Sequence, residues 1–354
     1  MHRINWVDYA KGICIILVVM MHSTLGVEKA VNTASFIHPF IEWAKPFRMP
    51  DFFLISGLFL ASRIDKPWRA YLDTKFVHFA YFYLLWMSIQ LLTKSGGLLL
   101  QGDIGAISLA FLMALVEPFG TLWFIYILAV FFIVVKLTQR APAIAVFAIG
   151  AILEIATINT GWLLVDEFAA RFVFFFTGYW MAKHVFQFAA WVNSKASTMI
   201  LAGLVTWGFG NHLLVSGGYA SLPVVSLVLG FVGAGAVISS GVLLSKFKIA
   251  DGVRYCGENS IVIYLAFFLF MAGSRTALLR FAPQLDIGMV ALLVTMVGVI
   301  GPLLLFWLTR NTGLSFLFRR PAWAKLRPLP NGAFGWHSRD HVKQLNIKPQ
   351  PEIR

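Results

Sequence analysis

The chain has 354 residues, of which 59% are hydrophobic and only 13% are charged, and its formal net charge is +13. Soluble domains are nearer half apolar and a quarter charged, so this composition excludes an ordinary cytosolic enzyme, a disordered protein and a disulfide scaffold. The mean hydropathy of +0.77 agrees with this. The apolar runs are continuous rather than alternating, which argues against an outer-membrane barrel as well.

Ten apolar runs are long enough to be interpreted as transmembrane helices, which need about 20 residues each. In chain order they cover residues 7–25, 48–62, 76–93, 119–136, 141–158, 168–187, 198–215, 222–245, 258–279 and 287–309. The segment 104–117 is too short to span comfortably, and we interpret it as interfacial or re-entrant. The sequence therefore predicts an all-α, polytopic membrane helix bundle over residues 1–310, followed by a basic tail over residues 311–354.

The Lys and Arg residues are divided unevenly between the predicted loops. With the N-terminus inside, the cytoplasmic segments hold 21 of the 29 Lys and Arg, and the outer segments hold 7. An excess of positive charge is typical of the cytoplasmic side. The pattern predicts both termini in the cytoplasm of a bacterial inner-membrane protein, and it explains the net charge without a nucleic-acid partner. We expect the tail to lie at the membrane surface, attracted to anionic lipid.

Ionisable side chains inside a bilayer cost roughly 3 kcal/mol or more unless they are paired, hydrated or turned to the protein interior. The first span, which lacks a cleavage site and is expected to be retained, contains Asp8, Lys11 and His22. Asp8 and Lys11 share a helix face and can pair. His22 follows Lys11 by eleven residues, close to three turns and about 16 Å on the same face. Alternatively, Lys11 snorkels to the inner surface and His22 merely ends the span.

Three further candidates lie at the outer side of the bundle. Asp51 is at the depth of His22 and could orient its ring, as a carboxylate does in a serine-protease triad. A surface pair between Asp51 and Arg48 is the alternative. Glu154 lies inside a span, so it should pair or face a cavity. Trp123 ends a span, a position that is also typical of interfacial belts.

The predicted inner side carries a group of basic side chains that could bind the phosphates of a cofactor. They are Arg63, Lys66, Arg69, Lys75 and His78. Ordinary positive-inside charge is the alternative explanation. No His, Cys or carboxylate cluster has metal-ligand spacing, so we expect no metal.

Four short elements, in order over residues 5–310, resemble the membrane-bound acyltransferase family 3 proteins. They are Asp8-Tyr9-Ala10-Lys11-Gly12 with His22, Met49-Pro50 with Phe52 to Gly57, Leu122-Trp123-Phe124, and Asn259-Ser260-Ile261-Val262-Ile263-Tyr264. The first has the family hallmark, a basic residue, ten residues and a histidine, in a form similar to fucose O-acetylases and polysaccharide acetyltransferases. The chain departs from the family where Lys75 and His78 replace a common Arg-x-x-Arg pair. It departs again at Phe267, where many members have histidine, and at Arg48, where some do.

The resemblance implies transfer of an acyl group, acetyl by default, from cytoplasmic acyl-CoA to a hydroxyl of an extracytoplasmic glycan or glycolipid. It implies that His22 acts as general base or acyl carrier, that Trp123 shapes the acyl pocket, and that Asp51 or Glu154 orients His22. The side chains implied to hold CoA are Lys11, Arg63, Arg69, Lys75 and His78. Two other classes stay open: a transporter or flippase whose buried charges line a path, and a catalytically silent membrane scaffold.

Overall fold

The computed structural model describes residues 4–94 and 104–326, and every regular element within these ranges is helical. The α-helices are α1 Asn5–Val31, α2 His38–Gly57, α3 Trp68–Leu72, α4 His78–Lys94, α5 Ile104–Val116, α6 Trp123–Thr138, α7 Ala143–Ile155, α8 Leu163–Trp180, α9 Ala182–Ser194, α10 Ser197–Ser216, α11 Val225–Phe247, α12 Asp251–Glu258, α13 Ser260–Phe281 and α14 Ile287–Thr309. A π-helical turn, Asp73–Val77, joins α3 to α4, and short 3-10 turns cover Gly120–Leu122, Tyr219–Ser221, Gly313–Leu317 and Ala322–Ala324.

Among the described residues, seven segments are long and apolar enough to cross a membrane. They are Asn5–Val31, Trp68–Thr93, Gly105–Thr138, Ser197–Ser216, Val225–Phe247, Ser260–Phe281 and Ile287–Thr309. The all-helical membrane bundle is thereby confirmed, whereas ten spans and two cytoplasmic termini stay predictions. The second and sixth predicted spans fall on α2 and α8, which are of sufficient length but contain several charged side chains. Helix α5, in the segment expected to be interfacial or re-entrant, is only 13 residues long.

Helix α1 packs against α2, α11, α12, α13 and α14, so it contacts much of the bundle. Its closest approach is to α12, and glycine makes that approach possible. A Cβ on Gly12 would lie 2.0 Å from the carbonyl oxygen of Val253, and one on Gly257 would lie 1.6 Å from that of Asp8. The glycine that follows Lys11 is therefore required by packing, and the crossing fixes the height of Lys11 in the bundle.

A second close crossing joins α2 to α8. A Cβ on Gly57 would lie 2.2 Å from the carbonyl oxygen of Phe175, and one on Gly178 would lie 2.0 Å from that of Leu54. No larger side chain fits at either glycine without separating the two backbones. The crossing holds α2 in place just after the segment that carries Met49 and Phe52.

The first part of the predicted tail packs against the π-helical turn Asp73–Val77 and against α4. Arg320 donates through Nη1 to the carbonyl oxygen of Asp73 and through Nη2 to its carboxylate, both at 2.7 Å. The backbone N–H of Leu326 donates to the other carboxylate oxygen at 2.7 Å. Trp86 Nε1 donates to the carbonyl oxygen of Leu317 at 2.9 Å. Residues 311–326 are thus attached to the bundle, while residues 327–354 of the predicted tail lie outside the described residues.

Candidate active site

A cavity of about 260 Å³ lies beside His22, and we call it the His22 cavity. All four of the sequence elements described above contribute to its wall. The side chains they supply are His22, Met49, Phe52, Trp123, Phe124 and Tyr264. Elements separated by as many as 240 residues in the sequence therefore meet at one place, which is the behaviour expected of a functional site rather than of general packing.

The His22 imidazole is half-buried, and its ring lies 5.4 Å from the ring of Phe267, centroid to centroid. Phe267 is fully buried. It occupies the position at which many members of the resembling family have a histidine. The helix that carries the fourth element, α13, therefore faces His22. The apolar ring fixes one side of the imidazole, and the cavity opens on another.

Tyr264 fixes the beginning of α6. Its hydroxyl accepts a hydrogen bond from the backbone N–H of Phe124 at 3.1 Å and donates to the carbonyl oxygen of Thr121. The rings of Phe52 and Phe124 stack at 4.6 Å. These contacts hold Trp123, the first residue of α6, in the cavity wall. Trp123 is therefore part of the site and not solely an interfacial belt residue.

Arg48 is a cavity residue whose importance sequence reasoning missed. Its side chain is buried, with 7% exposed, and it lines the His22 cavity. Nη1 makes a long hydrogen bond of 3.5 Å to the carbonyl oxygen of Ile41, and Nε has no partner. Within residues 4–94 and 104–326 no ion pair includes Arg48, so the surface pair with Asp51, which was the alternative interpretation, does not form. Its place beside Met49-Pro50 was the signal that could have identified it.

The other charged residues of the cavity are compensated. Arg171 donates through Nε to Glu167 at 3.1 Å, and Lys45 pairs with Glu42 at 3.3 Å. Just before Glu167, Asp166 accepts from the backbone N–H groups of the preceding loop, and these bonds, led by the one from Thr160, lower the pKa of its carboxyl. The beginning of α8 is thus well anchored. Arg48 forms no ion pair within the described residues, and the acid whose charge acts on it is Glu42, which is itself paired with Lys45.

The structure does not bring Asp51 to His22. The Asp51 carboxylate is fully buried and neither oxygen has a hydrogen-bond partner in the described part of the chain. It interacts electrostatically with Cys14, which precedes His22 by eight residues, about 12 Å along α1. Asp51 therefore faces α1 about two turns before the imidazole. Arg48, three residues earlier on α2, faces the His22 cavity instead.

Glu154 also lies away from His22. It lines a second cavity, of about 330 Å³, which we call the Glu154 cavity. One of its carboxylate oxygens accepts a hydrogen bond from the Ser226 hydroxyl at 2.7 Å. The sequence expectation that Glu154 pairs or faces a cavity agrees with this placement, whereas no contact supports its orienting the His22 ring.

At the other end of α1 the structure gathers a group of cations, which we call the basic patch and define as Lys11, Arg63, Lys66 and Lys75. Lys75 interacts electrostatically with each of the other three. Its ammonium lies 4.3 Å from the ring centroid of Phe132, and that of Lys11 lies 5.5 Å from the ring of Phe59. The aromatic faces offer partial compensation for like charges held together.

Of the two remaining basic candidates, His78 borders the patch and Arg69 is exposed on α3. The His78 ring lies against the rings of Phe79 and Phe82, at 5.4 and 5.1 Å. It also interacts electrostatically with Lys75 and with Arg320 from the tail. Arg320 was not among the predicted site residues. In the described portion of the sequence no group of His, Cys, Asp and Glu is arranged to hold a metal ion.

Replacing Tyr264 with phenylalanine is expected to destabilise the protein by about 1–3 kcal/mol, because a buried backbone N–H and carbonyl at the start of α6 lose their partner. Thermal unfolding in detergent measures this loss. Tyr255→Phe is the matched control, since Tyr255 is exposed on α12. Equal melting temperatures for the two variants would contradict the role given to the Tyr264 hydroxyl.

Comparison with known proteins gives one family and one relative. The chain is 25% identical over 319 residues to the "Inner membrane protein YcfT" of Escherichia coli (strain K12), covering 80% of this chain and 85% of that protein. No solved structure matches the chain. Together with its apolar helices, the relative supports an integral inner-membrane protein. Residues 4–310 match the acyltransferase domain model of family 3. The chain therefore belongs to the acyltransferase 3 family of membrane proteins.

Proposed function

We propose that this membrane acyltransferase moves an acyl group, acetyl by preference, from acyl-CoA to a hydroxyl of an extracytoplasmic glycan or glycolipid. The observation that carries the proposal is the His22 cavity, in which a histidine and a buried arginine meet side chains from all four family-like elements. No ion pair of the described residues includes that arginine. A histidine beside a cation is suited to acyl transfer, which needs a base for the attacking hydroxyl and a positive group for the charge that develops.

In this reaction His22 removes the proton from the acceptor hydroxyl as the hydroxyl oxygen attacks the thioester carbonyl. The new C–O bond forms, the C–S bond breaks, and the CoA thiolate leaves with a proton returned by the imidazolium. The alternative retained for His22 is a covalent route, in which the imidazole first takes the acyl group and then passes it to the hydroxyl. Both routes need a ring that is accessible from the cavity, and the half-buried imidazole meets that need.

Arg48 stabilises the negative charge on the carbonyl oxygen of the tetrahedral intermediate. Its guanidinium is buried and forms no ion pair in the described part of the chain, and Glu42, the acid whose charge acts on it, is paired with Lys45. An unpaired charge in a low-dielectric site is unfavourable on its own. The oxyanion compensates it only as the reaction proceeds, so the interaction is stronger in the transition state than in the ground state, which is the condition for faster chemistry.

The donor is bound through its phosphates at the basic patch. Four cations near one another match the anionic part of CoA, and phosphate groups are the preferred partners of such clusters. Lys11 belongs to the patch and shares α1 with His22, about 16 Å farther along the helix. The uncharged pantetheine arm then bridges the two ends, with Trp123 forming part of the acyl pocket. Arg69 is a further cation on the neighbouring helix α3, and the His78 ring borders this region.

The test uses the purified full-length protein in nanodiscs with radiolabelled acetyl-CoA and a crude envelope-glycan fraction. We expect label in the glycan fraction and free CoA thiol in equal amounts. Empty nanodiscs are the control. If several acyl-CoA donors neither bind nor turn over, the enzyme proposal fails, and flux of an unmodified substrate would instead favour the transporter class.

Lys75→Ala is expected to raise the KM for acetyl-CoA by about tenfold or more, because a charge-assisted contact to phosphate is lost. The KM for acetyl-pantetheine, which has no such phosphates, should stay the same. Lys183→Ala is the control, since Lys183 is exposed on α9 outside the patch. An equal increase for both donors would remove the phosphate role from Lys75.

A further inference from the structure

The Glu154 cavity adjoins the His22 cavity. The side chains of Lys45 and Arg171 line both cavities, so the two cavities lie next to each other at these residues. Its volume of about 330 Å³ is within the range of small-molecule sites, roughly 300–1,000 Å³. It is formed by α2, α7, α8, α10, α11 and the turn Tyr219–Ser221, and it does not include any residue of the basic patch.

Glu154 gives this cavity an unsatisfied acceptor. Its side chain is buried, with 9% exposed, and one carboxylate oxygen accepts from Ser226, while Oε2 has no partner among the residues that the structure describes. A buried carboxylate oxygen without a donor is unfavourable, and native structures usually supply one. Because Glu154 lines the cavity, a donor group on a bound molecule can satisfy Oε2.

The charges of the cavity wall indicate the chemistry of that molecule. Two carboxylates, Glu42 and Glu154, face two cations, Lys45 and Arg171, so the wall has no net charge. A hydroxyl group donates to a carboxylate and accepts from a cation, and a neutral sugar offers several such groups. An anion would face both carboxylates. The apolar part of the wall includes Pro50, which can contact the C–H face of a sugar ring.

We propose that the Glu154 cavity binds a neutral sugar unit of the acceptor and places one of its hydroxyls beside His22. This inference rests on the proposed acyl-transfer function. It gives Glu154 a role in binding the acceptor, in place of the expected role of orienting the His22 ring. It also assigns the selection of the acceptor to a cavity distinct from the one in which the acyl group is transferred.

The experiment measures saturation-transfer NMR from the full-length protein in nanodiscs to methyl α-glucoside, methyl α-mannoside and methyl α-galactoside, with a methyl glucuronide as the anionic comparison. We expect transfer to at least one neutral glycoside and less to the glucuronide. Glu154→Ala should weaken that transfer by about fivefold or more, because the carboxylate acceptor is lost. Glu117→Ala, an exposed carboxylate outside both cavities, should leave it unchanged.

A second variant tests the cavity without removing Glu154, because the hydrogen bond between Glu154 and Ser226 links α7 to α11 and its loss can disturb the fold. Ala220→Phe fills the same cavity from the turn and leaves Glu154 in place. It should abolish the transfer to the sugar as well. No binding of any neutral glycoside, or equal binding in wild type and both cavity variants, would overturn the inference. Stronger binding of the glucuronide would overturn the choice of a neutral sugar.

The measurement separates this inference from the proposed function. Sugar binding should persist in His22→Ala, because His22 does not line the Glu154 cavity. Acetyl-CoA turnover by the wild type is measured in parallel. Sugar binding as expected without any turnover would reject the acyltransferase proposal alone. His22-dependent turnover with sugar binding that neither cavity variant changes would reject the sugar site alone.

Discussion

His22→Ala is expected to lower acyl transfer by about 10²–10⁴-fold, the usual contribution of a positioned general base. The imidazole lines the cavity and packs on one side against Phe267, so its loss removes the base without removing a described hydrogen bond of the fold. Initial rates with radiolabelled acetyl-CoA measure the effect. Circular dichroism and thermal unfolding should show a protein close to wild type.

His212→Ala is the matched control for this variant, because His212 is exposed on α10 and lies outside both cavities. Its transfer rate should equal that of wild type. Near-normal turnover by His22→Ala would reject the assignment. Rapid quenching into neutral denaturant during turnover distinguishes the two routes, since acid would hydrolyse an acyl-imidazole: label held on wild-type protein but not on His22→Ala supports the acyl carrier, and its absence supports the general base.

Arg48→Met is expected to lower kcat by about 10²–10³-fold, as the loss of one oxyanion-stabilising group does in other acyl transfers. Methionine has a similar length and no charge, so the cavity keeps most of its shape. The KM for acetyl-CoA should change little, because the interaction is strongest when the negative charge has developed. Steady-state kinetics in nanodiscs separate the two constants.

The stability of Arg48→Met gives an independent check. Since Arg48 is buried and no ion pair of the described residues includes it, with Glu42 acting on it only through its charge, removing the guanidinium charge relieves a desolvation penalty, and the melting temperature should be unchanged or higher. Arg280→Met, at an exposed arginine on α13, should change neither activity nor melting temperature. A melting temperature that falls along with kcat would show that Arg48 supports the fold instead of the reaction.

The positions of Lys11 and His22 along the bundle could be predicted because both lie on one helix, whereas their roles stay predictions. Lys11 and His22 are on α1, where the rise per residue fixes their separation. The other cations of the basic patch come from the loop between α2 and α3 and from the π-helical turn before α4. The convergence of the four elements on one cavity could be expected from their resemblance to a family. Which side chains touch could not, because that depends on how five helices pack.

Arg48 and Asp51 show where sequence reasoning reached its limit. Spacing of three residues places side chains on one face of a regular helix, which suggested a pair. Helix α2 contains Pro46 and Pro50, each of which removes a backbone N–H and disturbs the regular hydrogen bonding. Arg48 lines the cavity, whereas Asp51 interacts with Cys14. The depth of Glu154 in the bundle was predictable, but the direction in which its side chain leaves α7 was not.

The contact between Arg320 and Asp73 has a consequence for biosynthesis. The two residues are 247 positions apart in the chain, and α14 precedes Arg320. During translation, the turn that contains Asp73 is made long before Arg320 leaves the ribosome. The cations around Lys75 and His78 are therefore complete only after the last apolar helix has been synthesised, and a nascent chain halted before that point lacks the arginine that neutralises Asp73.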